Sequence, residues 1–304
     1  MKQFFEQMFF SPKSYHYIMI VLFFPLSLVY GSFMFLRRKF THKKHFLVPV
    51  ISVGNLQVGG SGKTPFLIEL ASRYEDVGIV SRGYGRDSSG LIEVSYKGDI
   101  LVDVKQSGDE PMLIAQSLPN ASIIVSKDRT MAIELAIKKG AKIIFLDDGF
   151  NRVEIEKYEI LLEPKCMPNT LPFPAGSLRE FLWTKKYANL VLREEEEFKR
   201  VVSFENLSEK MLLVTAISNP LRLDAFLPKN IVGKIYFDDH SYFDEATLKQ
   251  EMSKYGAYTI LVTQKDAVKM KNFKLPLSLM KLKLEIENEI FTQIDAYIKG
   301  YKNA

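Results

Sequence analysis

The chain has a single cysteine in 304 residues, Cys166, and a single tryptophan, Trp183. A lone thiol excludes an internal disulfide. With only four histidines, three of them in the first 50 residues, it also excludes a structural zinc site of the usual four-ligand kind. A reducing compartment fits this usage. The body is also short of basic charge. The net charge is +5, but residues 1–50 hold seven Lys and Arg against Glu6 alone, so residues 51–304 carry a net −1. A nucleic-acid binder needs its basic surface on the folded body. This distribution therefore argues against nucleic acid and for anionic lipid beside an anchor. Low-complexity tracts and repeats at solenoid spacing are absent. The 47% hydrophobic and 25% charged fractions are those of an ordinary globular protein, and the length suits about two domains.

Charge is missing altogether from Tyr17 to Leu36, a run of twenty residues (YIMIVLFFPLSLVYGSFMFL). A helix of that length covers about 30 Å of hydrocarbon. A cleaved signal peptide has a shorter apolar region followed by small residues, whereas this run meets Arg37-Arg38-Lys39 directly. The positive-inside rule then puts everything after Leu36 in the cytoplasm, at the inner face of the membrane. Pro25 and Gly31-Ser32 weaken a straight crossing, so spanning and interfacial helices are both open. Phe4, Phe5, Phe9 and Phe10 add a second apolar surface before the run.

Beyond the anchor, short β-branched runs alternate with helical stretches: residues 48–53, 77–81, 122–126, 142–147, 158–162 and 189–192. Such alternation reads as an α/β fold, a mostly parallel sheet with helices on both faces. A second series at 211–216, 231–237 and 258–263, with candidate helices near 220–228 and 244–255, reads as a smaller C-terminal α/β lobe. The expected division is an anchor over 1–37, a main domain over 38–210 and the lobe over 211–304. The charge run EEEEFKR (194–200) reads as a solvated helix end or linker.

The strongest chemical signal lies in VISVGNLQVGGSGKTPFLIELA, residues 50–71. An apolar strand ends at Val53, a glycine-containing loop runs to Lys63-Thr64, and a helical pattern follows with Pro65 in its first turn. Glycines let successive backbone N–H groups turn around phosphate oxygens, and the helix N-terminus adds its partial positive charge. Lys63 is placed to reach the β- and γ-phosphates and Thr64 to hold Mg²⁺. The strict G-x-x-x-x-G-K-[ST] spacing fails, because Gln57 stands where its first glycine belongs. Gly59-Gly60-Ser61-Gly62-Lys63-Thr64 instead matches a G-G-x-G-K-[ST] variant, with Val58 where that variant often has lysine. The predicted main domain is therefore of the P-loop NTPase type, and its cofactors are ATP and Mg²⁺.

A nucleotide site also needs an acidic group at the end of a neighbouring strand. IIFLDDGF supplies Asp147 and Asp148 after four apolar residues, at the strand's carboxyl edge where ligands bind in open α/β folds. Transfer to an alcohol further gains from a group that accepts the hydroxyl proton. Asp109, at the start of a helix in QSGDEPMLIAQSL, and His240, in IYFDDHSYFDEATL, are the candidates. From residues alone, a kinase and a membrane-bound ATPase or nucleotide switch both fit.

The ordered segments SVGNLQVGGSGKTP, SRGYGR, GDEPMLIA, DDGFNR, PAGSLRE, DDHSYF and VTQKDAVKM resemble the tetraacyldisaccharide 4′-kinase family, from the apolar helix to about Met270. The resemblance implies a membrane-associated enzyme of lipid A biosynthesis. Such an enzyme transfers the γ-phosphate of ATP to the 4′-hydroxyl of a tetraacylated glucosamine disaccharide 1-phosphate. By the same resemblance Asp109 is the base, paired with His240; Lys63 and Thr64 belong to the phosphate loop; and Asp147-Asp148 bind magnesium. Arg129 and Arg179 match basic positions near phosphate. The chain departs from the family pattern at Asn151-Arg152, Ser241 and Gln264. The implied partners are the acylated disaccharide lipid and the membrane, with no protein partner indicated. Closing of two lobes would bring His240 toward a shared cleft and limit ATP hydrolysis.

Overall fold

The computed structural model describes residues 2–59 and 62–302. In chain order the elements begin with α1 (Lys2–Phe10), α2 (His16–Phe40), β1 (Val50–Gly54), α3 (Lys63–Ala71) and β2 (Val77–Ser81). They continue with β3 (Ile92–Tyr96), β4 (Asp99–Ile100), α4 (Val104–Ser107), α5 (Asp109–Ser117), β5 (Ser122–Val125) and α6 (Arg129–Lys138). Next come β6 (Ile143–Asp147), β7 (Tyr158–Glu163), β8 (Leu190–Arg193), β9 (Phe198–Glu205), β10 (Met211–Thr215) and β11 (Ile231–Tyr236). The chain closes with α7 (Glu245–Tyr255), β12 (Thr259–Thr263), α8 (Gln264–Ala267), β13 (Leu277–Ile286) and α9 (Asn288–Lys302). Two compact units emerge, each discontinuous in sequence. One comprises residues 1–63, 142–199 and 286–304, the other residues 64–141 and 200–285.

In the first unit the strand order is β6-β1-β7-β8, with all pairings parallel. β1 and β6 are buried along their whole length, the mark of strands covered on both faces, and that is why VISV and IIFL show no polar alternation. In-register pairing sets Val53 opposite Asp147, so the phosphate loop and the acidic pair leave the sheet at the same edge. α9 belongs to this unit, with Ile294 and Ile298 buried and the Tyr297 hydroxyl donating to the Val50 carbonyl at 3.4 Å.

α2 is long and apolar enough to cross a membrane by length and composition. One stripe of it nevertheless docks on its own unit. Ile20 packs with Met8, Phe9 and Ala175; the Ser27 hydroxyl donates to the Pro172 carbonyl and accepts from the Ala175 amide, both at 2.8 Å. Gly31 lies against the Phe181 ring, where a Cβ would come within 2.6 Å of Cζ. At the last turn Arg38 makes a two-pronged pair with buried Glu180 at 2.7 and 2.8 Å and donates to the Phe150 carbonyl at 2.9 Å. The remaining faces expose Ile18, Val21, Leu22, Leu26, Val29 and Phe33.

The second unit has β4-β3-β5-β2, where β2 and β5 run parallel and β3 antiparallel to β5. It also has a separate sheet ordered β11-β10-β12-β13-β9. That sheet's core is Leu212, Val214, Leu248, Met252, Ile260, Val262 and Met270. The stretch near 220–228 forms a 3-10 helix, Pro220–Phe226, instead of an α-helix: none of its residues is buried, and Pro220 leads it. EEEEFKR is a tight turn between β8 and β9, with Glu195 N bonding the Phe198 carbonyl at 2.9 Å and Phe198 buried; a helix end is not formed there. α7 falls where the sequence places it, capped by Asp244, whose side chain accepts from Thr247 N, and ended by Gly256 in the left-handed conformation.

Candidate functional site

The predicted residues gather in two clusters, one in each unit. In the first, β1 ends at Gly54, where a Cβ would meet Phe150 Cβ at 2.6 Å, so only glycine lets the DDGF segment approach this closely. The loop passes through Gly59 and Gly62, both at positive φ, and α3 starts at Lys63. Gly60 and Ser61 lie outside the described residues. The Lys63 ammonium donates to Asn55 Oδ1 at 3.0 Å and lies 3.6 Å from Asp148 Oδ1. Arg179 Nη1 donates to both Asp148 oxygens at 2.8 Å. Asp148 is left-handed (φ 53°), and its amide bonds the Val53 carbonyl at 3.0 Å, which turns its side chain out of the strand direction. Asp147 is buried at the end of β6 and Thr64 in the first turn of α3. Lys63, Asp148 and Arg179 are thus brought together as a charged set beside the loop.

In the second unit Asp109 opens α5 and is 3% exposed. His240 Nδ1 stands 2.9 and 3.0 Å from its two oxygens. The backbone makes room for this meeting. Gly108 (φ 88°) would carry a Cβ 2.9 Å from the Tyr84 carbonyl, and His240 itself is left-handed with φ 65°. The Tyr84 ring lies 5.0 Å from the imidazole, centre to centre. Nε2 of His240 is 3.6 Å from Asp239 Oδ2. Lys265 lies 3.7 Å from Asp109 and Lys269 3.3 Å. Burial is the largest influence on Asp109 and pushes its carboxyl up, but the His240 hydrogen bond, Lys265, the His240 charge and Lys269 together outweigh it and bring it to about 2. Lys265 moves the other way: burial lowers it, while Glu110, Asp109 and Asp239 raise it more. Arg129, buried at the start of α6, donates to the Ser126 carbonyl.

Known proteins resemble this chain over nearly its whole length. The family model described as LpxK, tetraacyldisaccharide-1-P 4′-kinase, matches residues 19–207 and 196–299. The chain belongs to this family. Among curated tetraacyldisaccharide 4′-kinases, that of Helicobacter pylori (strain HPAG1) is 47% identical over 302 residues, covering 99% of this chain and 96% of the relative. That of Aliarcobacter butzleri is 48% identical over 306 residues, covering 98% and 97%. The solved structure of LpxK from Aquifex aeolicus, an "apo" form in complex with ATP, superposes with a TM-score of 0.77 at 28% identity, covering 92% of this chain and 98% of that one.

For a tetraacyldisaccharide 4′-kinase, the sequence reading left several site-building residues without a role. Asn55 receives the Lys63 ammonium. Lys265, Asp266 and Lys269, all inside VTQKDAVKM, surround Asp109 or stand behind it. Their signal was there in the spacing: Lys265 and Lys269 are four apart, and Asp266 and Lys269 three apart, so in a helical turn they share a face. Among the described residues no group of three or more His, Cys, Asp or Glu could by itself hold a metal ion.

Proposed function

We propose that Lys63, Asp148 and Arg179 serve the nucleotide, and Asp109 with His240 the acceptor hydroxyl, in phosphoryl transfer. The chain is a lipid kinase of lipid A biosynthesis, transferring a phosphoryl group to the 4′-hydroxyl of tetraacyldisaccharide 1-phosphate. In our reading the phosphoryl donor is ATP, held by the loop Gly59–Thr64 with Lys63 on its β- and γ-phosphates. Thr64 and the Asp147-Asp148 pair would hold Mg²⁺, which supplies positive charge to the phosphate oxygens as the bond to the leaving group breaks. Arg179 and Arg129 add guanidinium charge for phosphate, and Arg179 also keeps Asp148 oriented.

Asp109 is the base, and His240 is its partner. As the acceptor oxygen bonds the γ-phosphorus and the bond to the β-phosphate oxygen breaks, the hydroxyl proton passes to this dyad and ADP leaves. A carboxyl held at about 2 is a weak base. It suffices because the transition state is loose: the acceptor bond is little formed, so the proton moves late and needs a charged acceptor in the right place more than a strong one. The observation that carries this reading is the Asp109–His240 contact at 2.9 Å between residues 131 positions apart.

α2 brings the enzyme to its lipid. Its docked stripe runs from His16 to Arg38, roughly 33 Å at the helical rise. A helix held along its full length by its own unit fits an interfacial anchor better than a crossing one, with its exposed apolar faces in the acyl boundary of the cytoplasmic leaflet. In functional terms we divide the chain into this anchor (1–37), a phosphate-loop domain (38–210) and a smaller lobe (211–304). The deciding experiment supplies full-length protein with ATP, Mg²⁺ and the acylated disaccharide 1-phosphate. A 4′-phosphorylated product that depends on Lys63 is expected. ATP hydrolysis without dependence on the acceptor would replace the reading by that of an ATPase.

A further inference from the structure

Behind the dyad stands a buried ion pair that the reaction does not consume. Lys269 is 1% exposed and Asp266 0%, and they meet at 3.6 Å. The Lys269 ammonium lies 3.3 Å from Asp109 Oδ2 and donates at 3.1 Å to the carbonyl of Ser241, the residue after His240. Its Nζ also sits 5.4 Å from the centre of the Phe243 ring.

Asp266 anchors this lysine and the end of β10, the neighbour of the strand β11 from which the histidine loop leaves. Its Oδ2 accepts from the hydroxyls of Thr215 at 2.6 Å and Thr263 at 2.8 Å, and its Oδ1 accepts from the Ala216 amide at 3.1 Å. The Ala216 carbonyl in turn accepts from the His240 amide at 3.2 Å. A residue at positive φ, such as His240, persists only when its surroundings over-determine it, and here one arm of the buried pair holds the carbonyl of the next residue and the other reaches the His240 amide through Ala216. The other charged or titratable groups facing Asp109 are Lys265 and Glu110 beside it, Asp239 on the histidine loop, and Tyr242. Lys265 is shared among Asp109, Glu110 and Asp239, whereas Lys269 pairs with Asp109 and Asp266.

We propose that Lys269, fixed by Asp266, is a positioning residue for phosphoryl transfer, pairing with Asp109 and tying it to the backbone that presents His240. The proposal rests on Asp109 and His240 being the proton-accepting dyad. Lys269 makes no claim on substrate; it acts through the carboxylate. Removing a buried counter-charge while leaving its partners in place is far more disruptive than removing both charges, so the single and paired variants read differently.

The test measures kcat and KM for both substrates for the full chain in mixed micelles with Mg-ATP and the acylated disaccharide 1-phosphate. K269M is expected to lower kcat about 10- to 100-fold with KM for ATP within about twofold. K269R should recover most of the rate. In a D109N background K269M should add no further loss. A wild-type rate in K269M, or an equal further loss in D109N, would overturn the proposal. Full turnover by D109N would instead remove the base reading beneath it. Should K269M not fold, D266N/K269M is read the same way. If neither folds while K269R does, Lys269 is a folding residue and the proposal fails.

Discussion

Arg179 spans both carboxylate oxygens of Asp148 with a single nitrogen, at 2.8 Å each, while Lys63 waits 3.6 Å away. Two side chains assigned separately, one to phosphate and one to metal, therefore hold each other before nucleotide arrives. A charge-assisted contact is worth about 1.5–3 kcal/mol, or roughly 10- to 100-fold in affinity. Arg179→Ala is expected to weaken ATP binding by that factor. Lys63→Ala, which removes the ammonium at the start of α3, should lower kcat/KM by about 100-fold or more. Isothermal titration with a non-hydrolysable ATP analogue, paired with turnover assays, checks both; unchanged affinity in the Arg179 variant would confine that side chain to orienting Asp148.

Asp109→Asn and His240→Ala should act on turnover and leave nucleotide affinity alone. General base catalysis contributes typically about 10²–10⁴-fold, and that is the loss expected in kcat, with ATP affinity within about twofold of wild type. Single-turnover kinetics separates the two quantities.

Stability should report the same carboxyl. Asp109 is held at about 2, against an ordinary value of 3.8. A group depressed by folding adds stability that is complete above the unfolded value and is lost as pH falls through the folded one, here from about pH 4 to about pH 2. The gap corresponds to about 2 kcal/mol. Urea unfolding of wild type and Asp109→Asn between pH 6 and pH 2 should show the wild type's advantage shrinking over that window. A difference that stays constant with pH would contradict the assignment.

Gly108→Ala tests the backbone that aims the base. The new Cβ would stand 2.9 Å from the Tyr84 carbonyl at φ 88°, so α5 must shift or the SRGYGR loop must give way. Strain of this kind amounts to about 1–3 kcal/mol, and because Asp109 is the next residue, kcat should fall by more than KM rises. Thermal unfolding and steady-state kinetics read the two effects.

Arg38→Ala should loosen the anchor. It leaves Glu180 buried without the counter-ion it meets at 2.7 Å, a change that typically destabilises by about 3–5 kcal/mol. Because Arg38 also holds the Phe150 carbonyl, just after the acidic pair, the variant should lose ATP affinity along with membrane association. Vesicle flotation and nucleotide titration measure these separately; intact flotation with intact binding would show the clamp to be dispensable.

Much of the nucleotide cluster was legible because its parts are contiguous. A strand, a glycine-containing loop and a lysine-led helix follow one another within 50–71, and IIFLDD states its own strand end. The helix expected near 220–228 is there, but as a 3-10 helix over 220–226, because apolar spacing does not tell an α-helix from a short exposed turn led by proline. EEEEFKR is a link between β8 and β9 and not a helix end, and its charge hid Phe198, a core residue at the start of a strand.

By itself the sequence determined the alternating strands and helices, the glycine-containing loop and its acidic pair, the apolar helix, and the exclusion of an internal disulfide. These depend on neighbours in the chain, where covalent geometry and local periodicity act directly. Only the tertiary structure decided that Asp109 meets His240 across 131 residues, that Lys269 and Asp266 stand behind them, and that Arg38 reaches Glu180 across 142. Such contacts come from how whole strands and helices pack, and no local pattern records which distant side chain a buried charge will find.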